Sequence, residues 1–196
     1  MLIVSETFDS IQGEGFYSGN RSFFVRLAGC DIGCHWCDEK KSWPNDNFPR
    51  FEINQLVKLC TESSSEIVVV TGGEPLMQDL TEFTKSLNGL KKRHLETSGA
   101  YPLSGNWDWI TLSPKKNKLP LKEIYNNANE LKVVIYNESD FNFALKEKEK
   151  VNKDCLLYLQ PEWSKKDKNL EKILSFNKKY PEWKLSVQTH KYLGLK

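Results

Sequence analysis

The 196 residues carry 28 Lys and Arg against 26 Asp and Glu, a net charge of +2. That balance lacks the strongly cationic stamp of a nucleic-acid binder and favours small-molecule chemistry, and the length suits a single domain spanning 1–196. The longest aliphatic run, Ile67 to Val70, falls far short of the roughly 20 apolar residues a bilayer needs, and Met1 to Phe8 lacks the basic-then-apolar pattern of a secretory signal, so a soluble cytoplasmic protein with no membrane partner is expected.

In chain order, a short N-terminal extended piece leads to Gln12-Gly13-Glu14-Gly15, a flexible loop bearing a carboxylate. Ser22 to Leu27 suits a buried strand. Within it Arg26 needs a partner, either Asp38 or Glu14, or an anionic or carbonyl-rich ligand. The strand runs into Cys30-Asp31-Ile32-Gly33-Cys34-His35-Trp36-Cys37, three cysteines spaced C-x3-C-x2-C in a segment too short and turn-rich for a helix. Their sulfurs can converge, and thiolates favour zinc or an iron–sulfur cluster. Such sites usually take four protein ligands, so one coordination position is unaccounted for. Five cysteines, three of them within eight residues, argue against a disulfide framework. Cys60 and Cys155 read as small buried hydrophobes.

Ser42 to Arg50 is loop chemistry, and Ile53, Leu56, Val57 and Cys60 fall at helical spacing. Glu66 to Val70 is a β-branched strand ending at Thr71-Gly72-Gly73-Glu74-Pro75. Leu80, Phe83, Leu87 and Leu90 predict a helix closed by Gly89. His94 to Thr97 and Trp109 to Leu112 are strands, followed by Ser98-Gly99 and Ser113-Pro114-Lys115 respectively. Leu121 to Asn127 predicts a helix, Leu131 to Tyr136 an apolar strand, and Phe141 to Glu149 a helix. Leu156 to Leu159 predicts a strand ending at Gln160-Pro161. A last long helix carries Leu170, Ile173 and Leu174, and Leu185 to Val187 precedes Gln188-Thr189-His190-Lys191.

Six or seven strands alternating with four or five helices predict an α/β fold built on a parallel sheet with right-handed crossovers. The unusual residues all follow strands, so they should share the rim where parallel α/β proteins bind ligands. Gly72-Gly73-Glu74-Pro75 reads either as a tight turn or as a close backbone approach to a ligand, with Glu74 facing an ammonium group. Ser113-Pro114-Lys115 is either a turn or a point charge for a carboxylate. Together they would hold both ends of an amino acid. His190 is a surface histidine or a substrate contact, and the lysine-rich stretches around Lys146 to Lys150 and Lys165 to Lys168 read as solvated faces.

With these motifs assembled, the chain resembles the radical S-adenosylmethionine (SAM) superfamily, in which the cysteine loop holds a 4Fe–4S cluster and SAM fills the vacant position. More closely it resembles the 7-carboxy-7-deazaguanine synthase family. That resemblance is carried by Ser10 to Gly15, Phe24 to Cys30, Trp36-Cys37-Asp38, Thr71 to Pro75, Glu96 to Gly99, Ser113 to Lys115 and Gln188 to Lys191. It implies an incomplete TIM-like barrel with outer helices, a homodimer, a flavodoxin or ferredoxin electron donor, and radical conversion of 6-carboxy-5,6,7,8-tetrahydropterin with loss of ammonia, a step of queuosine-type biosynthesis. It implies that Cys30, Cys34 and Cys37 hold the cluster, and that Gly73, Glu74, Ser113, Pro114, Lys115, Gln160 and the Trp36 to Asp38 backbone hold SAM. Ile11, Gln12, Gly13, Glu14, Arg26, Thr71 and His190 would line the pterin pocket. The family commonly carries Thr after the Cys-Asp pair to help bind Mg²⁺. Here Glu39 stands there, and a carboxylate is itself a hard-cation ligand. Two rival readings are a radical SAM activase of a glycyl-radical enzyme and a non-catalytic zinc module using Cys30, Cys34, Cys37 and His35.

Overall fold

The computed structural model describes residues 1–44 and 46–196; Asn45, in the predicted Ser42 to Arg50 loop, lies outside the described residues. The strands are β1 (Leu2–Ile11), β2 (Arg21–Leu27), β3 (Arg50–Phe51), β4 (Ile67–Gly72), β5 (Lys92–Thr97), β6 (Trp109–Leu112), β7 (Glu130–Ile135), β8 (Leu156–Pro161) and β9 (Trp183–Leu185). The helices are α1 (Ile53–Glu62), α2 (Thr81–Ser86), α3 (Lys122–Asn127), α4 (Ser139–Lys148), α5 (Lys166–Lys179) and α6 (Thr189–Tyr192). Among the described residues these nine strands form one sheet in the order β3-β1-β2-β4-β5-β6-β7-β8-β9. From β2 onward the pairs are parallel, while β1 runs antiparallel to both its neighbours.

The predicted α/β architecture is therefore present, as an open partial barrel with a longer sheet than the six or seven strands expected. The added length comes from the antiparallel edge. The short N-terminal piece is a ten-residue strand whose register shifts between Val4 and Glu6. Two other predictions need correction. α2 stops at Ser86 instead of running to Gly89, whose φ of +74 turns the chain back and leaves Leu90 58% exposed. The last strand sits two residues earlier than Leu185 to Val187, because beyond Leu185 the chain bends toward the loop after β1, where the Thr189 N–H donates to the Gly13 carbonyl at 2.9 Å.

Alternation along each strand explains how the core and the site are divided. In β4, Val68 and Val70 join the main core with Leu56, Cys60, Phe83 and Leu87 from the outer helices. Ile67 and Val69 point the other way, into a small apolar cluster with Phe24, Phe8 and Tyr17. α1 begins with a capping box between Glu52 and Gln55 that fixes the helix against the sheet. Cys60 and Cys155 are buried, as expected. The inner face changes character along its height. Phe8 stacks on Phe24 with centroids 5.0 Å apart, and Tyr17 meets His94 at 4.5 Å and Trp109 at 4.9 Å, which closes the base. Above them the same face carries Thr71, Glu96 and Lys132, and these open onto the rim.

Candidate active site

The cysteine loop is held by backbone bonds more than by its own side chains. Gly29 and Cys30 donate to the carbonyls of Ser42 and Trp43 at 2.7 and 3.0 Å, and Cys37 donates to Cys34 at 3.1 Å. From the far side the Asn117 amide donates to the carbonyls of Ile32 and Gly33, each at 3.2 Å. All three cysteines are free, half-buried, and line one cleft of about 760 Å³. Burial pushes the Cys30 and Cys34 thiols up, and metal ligation reverses that preference by binding the thiolate.

The donor set fits an iron–sulfur cluster: three soft ligands on a short loop, facing a cleft that leaves room for a non-protein ligand. Among the described residues, no group of three or more His, Cys, Asp or Glu side chains is gathered closely enough to hold a single ion. A cluster of several irons does not need thiols pinched onto one point. His35, the fourth ligand of the zinc reading, instead packs edge-on against Tyr136 at 4.8 Å.

Beside the cysteines, the Gly73 and Glu74 N–H groups donate to the Leu27 and Gly29 carbonyls at 2.9 and 2.8 Å, locking the turn after β4 to the start of the cysteine loop. Gly73 has no room for a side chain, since a Cβ there would lie 2.2 Å from the Gly29 carbonyl oxygen. The Glu74 carboxylate is 1% exposed and accepts from Leu76 N, Thr97 Oγ1, Ser98 N and Ser98 Oγ. Those four bonds fill its acceptor sites, so the side chain braces the ends of β4 and β5. The Lys115 ammonium donates to the Ser113 hydroxyl at 2.7 Å and lies 5.7 Å from the Trp36 ring. Burial lowers its pKa, while the thiols of Cys34 and Cys37 and the Glu74 carboxylate act the other way.

Across the cleft lies a network of carboxylates. Glu96 accepts from the Gln12 amide at 2.9 Å and from Thr71 Oγ1 at 3.0 Å. Glu14 pairs with Lys132 and accepts from the Gln188 amide at 2.9 Å. Arg26 meets Glu6 at 2.9 Å and Glu39 at 3.7 Å. The two partners proposed from sequence go elsewhere: Asp38 pairs with Lys191 and Glu14 with Lys132. The reason is register, since β1 places Glu6 directly opposite Arg26. His190 packs so close to Gly13 that a Cβ on that glycine would lie 2.0 Å from its Nδ1. Burial lowers the His190 pKa, against the pull of Glu14.

The cleft gathers Ile11, Gln12, Gly13, Glu14, Arg26, Cys30, Cys34, Trp36, Cys37, Asp38, Glu39, Thr71, Gly73, Glu74, Ser113, Lys115, Gln160 and His190. Pro114 stands apart, buried against a smaller cavity of about 100 Å³ behind Cys34 and Trp36. Lys132, Glu6 and Gln188 also line the main cleft, although sequence reasoning gave them no role. Lys132 carried a usable signal, a lysine inside an apolar strand.

A partial barrel that sets three free cysteines, the Lys115 ammonium and the Gly73 backbone on one rim defines a radical SAM enzyme. A family model described as a 4Fe-4S single cluster domain matches residues 11–153. The chain is 50% identical to the 7-carboxy-7-deazaguanine synthase of Flavobacterium psychrophilum over 196 residues, covering 100% of this chain and 93% of that one. It is likewise 50% identical to the enzyme of that name from Synechocystis over 194 residues, covering 98% and 93%. The crystal structure of QueE from Escherichia coli superposes with a TM-score of 0.85 at 27% identity, covering 96% of this chain and 94% of that one. The chain belongs to the 7-carboxy-7-deazaguanine synthase family.

Proposed function

We propose that this protein converts 6-carboxy-5,6,7,8-tetrahydropterin to 7-carboxy-7-deazaguanine with loss of ammonia, acting as one radical SAM domain over residues 1–196. The observation that carries the reading is that the cysteine loop, the amino-acid cradle and the carboxylate network face one another across a single cleft. Its volume, about 760 Å³, suits a small molecule beside a cofactor, which favours this reading over an activase that must admit a protein chain.

Cys30, Cys34 and Cys37 would hold the 4Fe–4S cluster. SAM would lie against Gly73, Glu74, Ser113, Pro114, Lys115, Gln160 and the Trp36 to Asp38 backbone, Pro114 contributing through its main chain. When bound, the cluster and SAM would supply radical chemistry for removing a hydrogen from the substrate. Around them, Lys115 offers a positive charge to a carboxylate from a site with little water, and Glu74 fixes the strand ends that present the Gly73 backbone. Ile11, Gln12, Gly13, Glu14, Arg26, Thr71 and His190 orient the pterin, Arg26 facing its carboxylate and carbonyl groups. Mg²⁺ would sit near Glu39, whose carboxylate lies 3.7 Å from Arg26 on the wall of the cleft. A homodimer, a flavodoxin or ferredoxin donor and a cytoplasmic setting complete the reading. Among the described residues no helix is long and apolar enough to cross a membrane.

The test is anaerobic incubation of the reconstituted protein with SAM, dithionite, Mg²⁺ and the pterin, without any protein partner. Carboxydeazaguanine is the expected product, and SAM cleavage with no change in the pterin would defeat the proposal.

A further inference from the structure

The floor of the cleft is organised by a cation that none of the motifs announced. β7 turns Glu130 and Lys132 to the same inner face, two residues apart. The Lys132 side chain is 6% exposed yet lines the cleft. Its ammonium pairs with Glu14 from the loop after β1, and it faces Glu96 on β5 and Glu130 below it. Gln188 holds the other Glu14 oxygen at 2.9 Å, and the Glu14 N–H donates to the Gln12 side chain at 3.1 Å. The same Gln12 donates to Glu96, so two cleft carboxylates and one buried ammonium share a single network.

We propose that Lys132 is a positioning residue for the substrate side of the cleft, fixing the Glu14 carboxylate ionised and in one orientation with Gln188 as its second tether. The proposal rests on the pterin reading for the identity of the ligand and on the ion pair itself for the mechanism. Burial alone would favour the neutral acid at Glu14, but Lys132 beside it and the hydrogen bonds from Lys132 and Gln188 outweigh burial and hold it below the ordinary carboxylate value. The other charged groups facing this pair are Glu130 on β7, Glu96 on β5, Lys115 after β6 and His190 on α6. Asp38 connects through Gln188. With Lys132 gone, Glu14, Glu96 and Glu130 would share a buried floor; Glu130, already pushed up by burial, would take a proton first, and the Glu14 midpoint would rise, so that over a wider acid range it offers a donor where it now offers two acceptors.

The test compares reconstituted wild type with Lys132→Met, Lys132→Arg and Gln188→Leu. Isotope-edited infrared titration of ¹³C-glutamate carboxylates, with the Glu14 band identified by its loss in Glu14→Gln, reads the pair directly. Lys132→Met should raise the Glu14 midpoint by about 1–3 pH units, and Lys132→Arg should return it toward wild type. In turnover, Lys132→Met should raise KM for the pterin about three- to tenfold at pH 6 while kcat changes less than about threefold, with the KM defect easing as pH rises to 8. An unmoved Glu14 midpoint, or a loss confined to kcat with an unchanged pH profile, would overturn the proposal. Should Lys132→Met not fold, Gln188→Leu must still raise the midpoint, by less, and no shift there overturns it equally. Failure of the wild type to turn over the pterin would instead defeat the proposed function, and the infrared titration would still decide the role of Lys132.

Discussion

One oxygen of the Glu74 carboxylate accepts both the backbone N–H and the hydroxyl of Ser98, at 2.8 and 2.5 Å. The second oxygen takes the Leu76 N–H and the Thr97 hydroxyl. A glutamine cannot reproduce this pattern, because its NH₂ would face donors. Glu74→Gln should therefore cost about 1–3 kcal/mol of stability, the usual penalty for a buried unsatisfied group, and weaken SAM binding as the strand ends loosen. Urea unfolding and equilibrium dialysis with SAM measure the two effects. A variant as stable as wild type would show that the brace is dispensable.

Two glycine substitutions should separate the halves of the cleft. In Gly73→Ala the new methyl meets the Gly29 carbonyl at 2.2 Å and Cys30 Cβ at 3.0 Å, so the cysteine loop has to shift. Iron and sulfide retained after reconstitution should fall while far-ultraviolet circular dichroism holds. In Gly13→Ala the methyl meets the His190 ring instead. Iron content should stay normal, and KM for the pterin should rise.

Glu39 lies 3.7 Å from Arg26 and on the wall of the same cleft. If its carboxylate contributes to Mg²⁺ binding, Glu39→Gln should raise the Mg²⁺ concentration for half-maximal turnover by about 10–100-fold, as loss of a supporting ligand does elsewhere. Identical titration curves for variant and wild type would remove Glu39 from the metal site.

Asp108 supplies a pH-dependent share of stability far from the chemistry. Hydrogen bonds from Arg93, at 2.8 Å from Nε and 2.9 Å from Nη2, outweigh burial and hold its carboxyl below the ordinary value of 3.8. A depressed carboxylate stabilises the fold fully above its unfolded pKa and loses that contribution as pH falls through the folded one. The gap in urea midpoint between wild type and Asp108→Asn should thus be constant above about pH 5 and shrink below pH 4. A gap that stays level into acid would assign the effect to geometry alone.

Much of this molecule can be read without coordinates, for specific reasons. Ile67 to Val70 is β-branched throughout, and Thr71 to Pro75 follows it directly, so the strand and the rim position are both visible locally. Arg26 was visible as a charge in an apolar strand, but its partner Glu6 was not, because register between strands is a long-range property. The N-terminal strand hid for a related reason. Its exposed and half-buried positions do not alternate cleanly, and a register shift interrupts it. Lys132 stood out as Arg26 did, among Leu131, Val133 and Ile135, but its partner Glu14 lies 118 positions away, so nothing local gave it a role. The helix after Leu80 ran too long on paper because Leu90 keeps the apolar rhythm although Gly89 has already reversed the chain.

The bridge between the loop after β1 and the segment before α6 also bears on how the protein is made. Gln188 and Glu14 are separated by 174 positions, as Ser186 and Gly15 are by 171. At roughly 5–20 residues per second of synthesis, Glu14 waits some 10–35 s for its second tether, Gln188, to be made. Through that interval the early loop has its own turn bonds, such as the Gly19 N–H to the Gln12 carbonyl, and later Lys132, but not the tethers from Ser186 and Gln188 that complete its shape. Catalytic competence should therefore arrive in a single late event, after the parallel core has formed, and pulse-labelled nascent chains should acquire protease resistance in β2 to β6 well before the loop after β1 becomes protected.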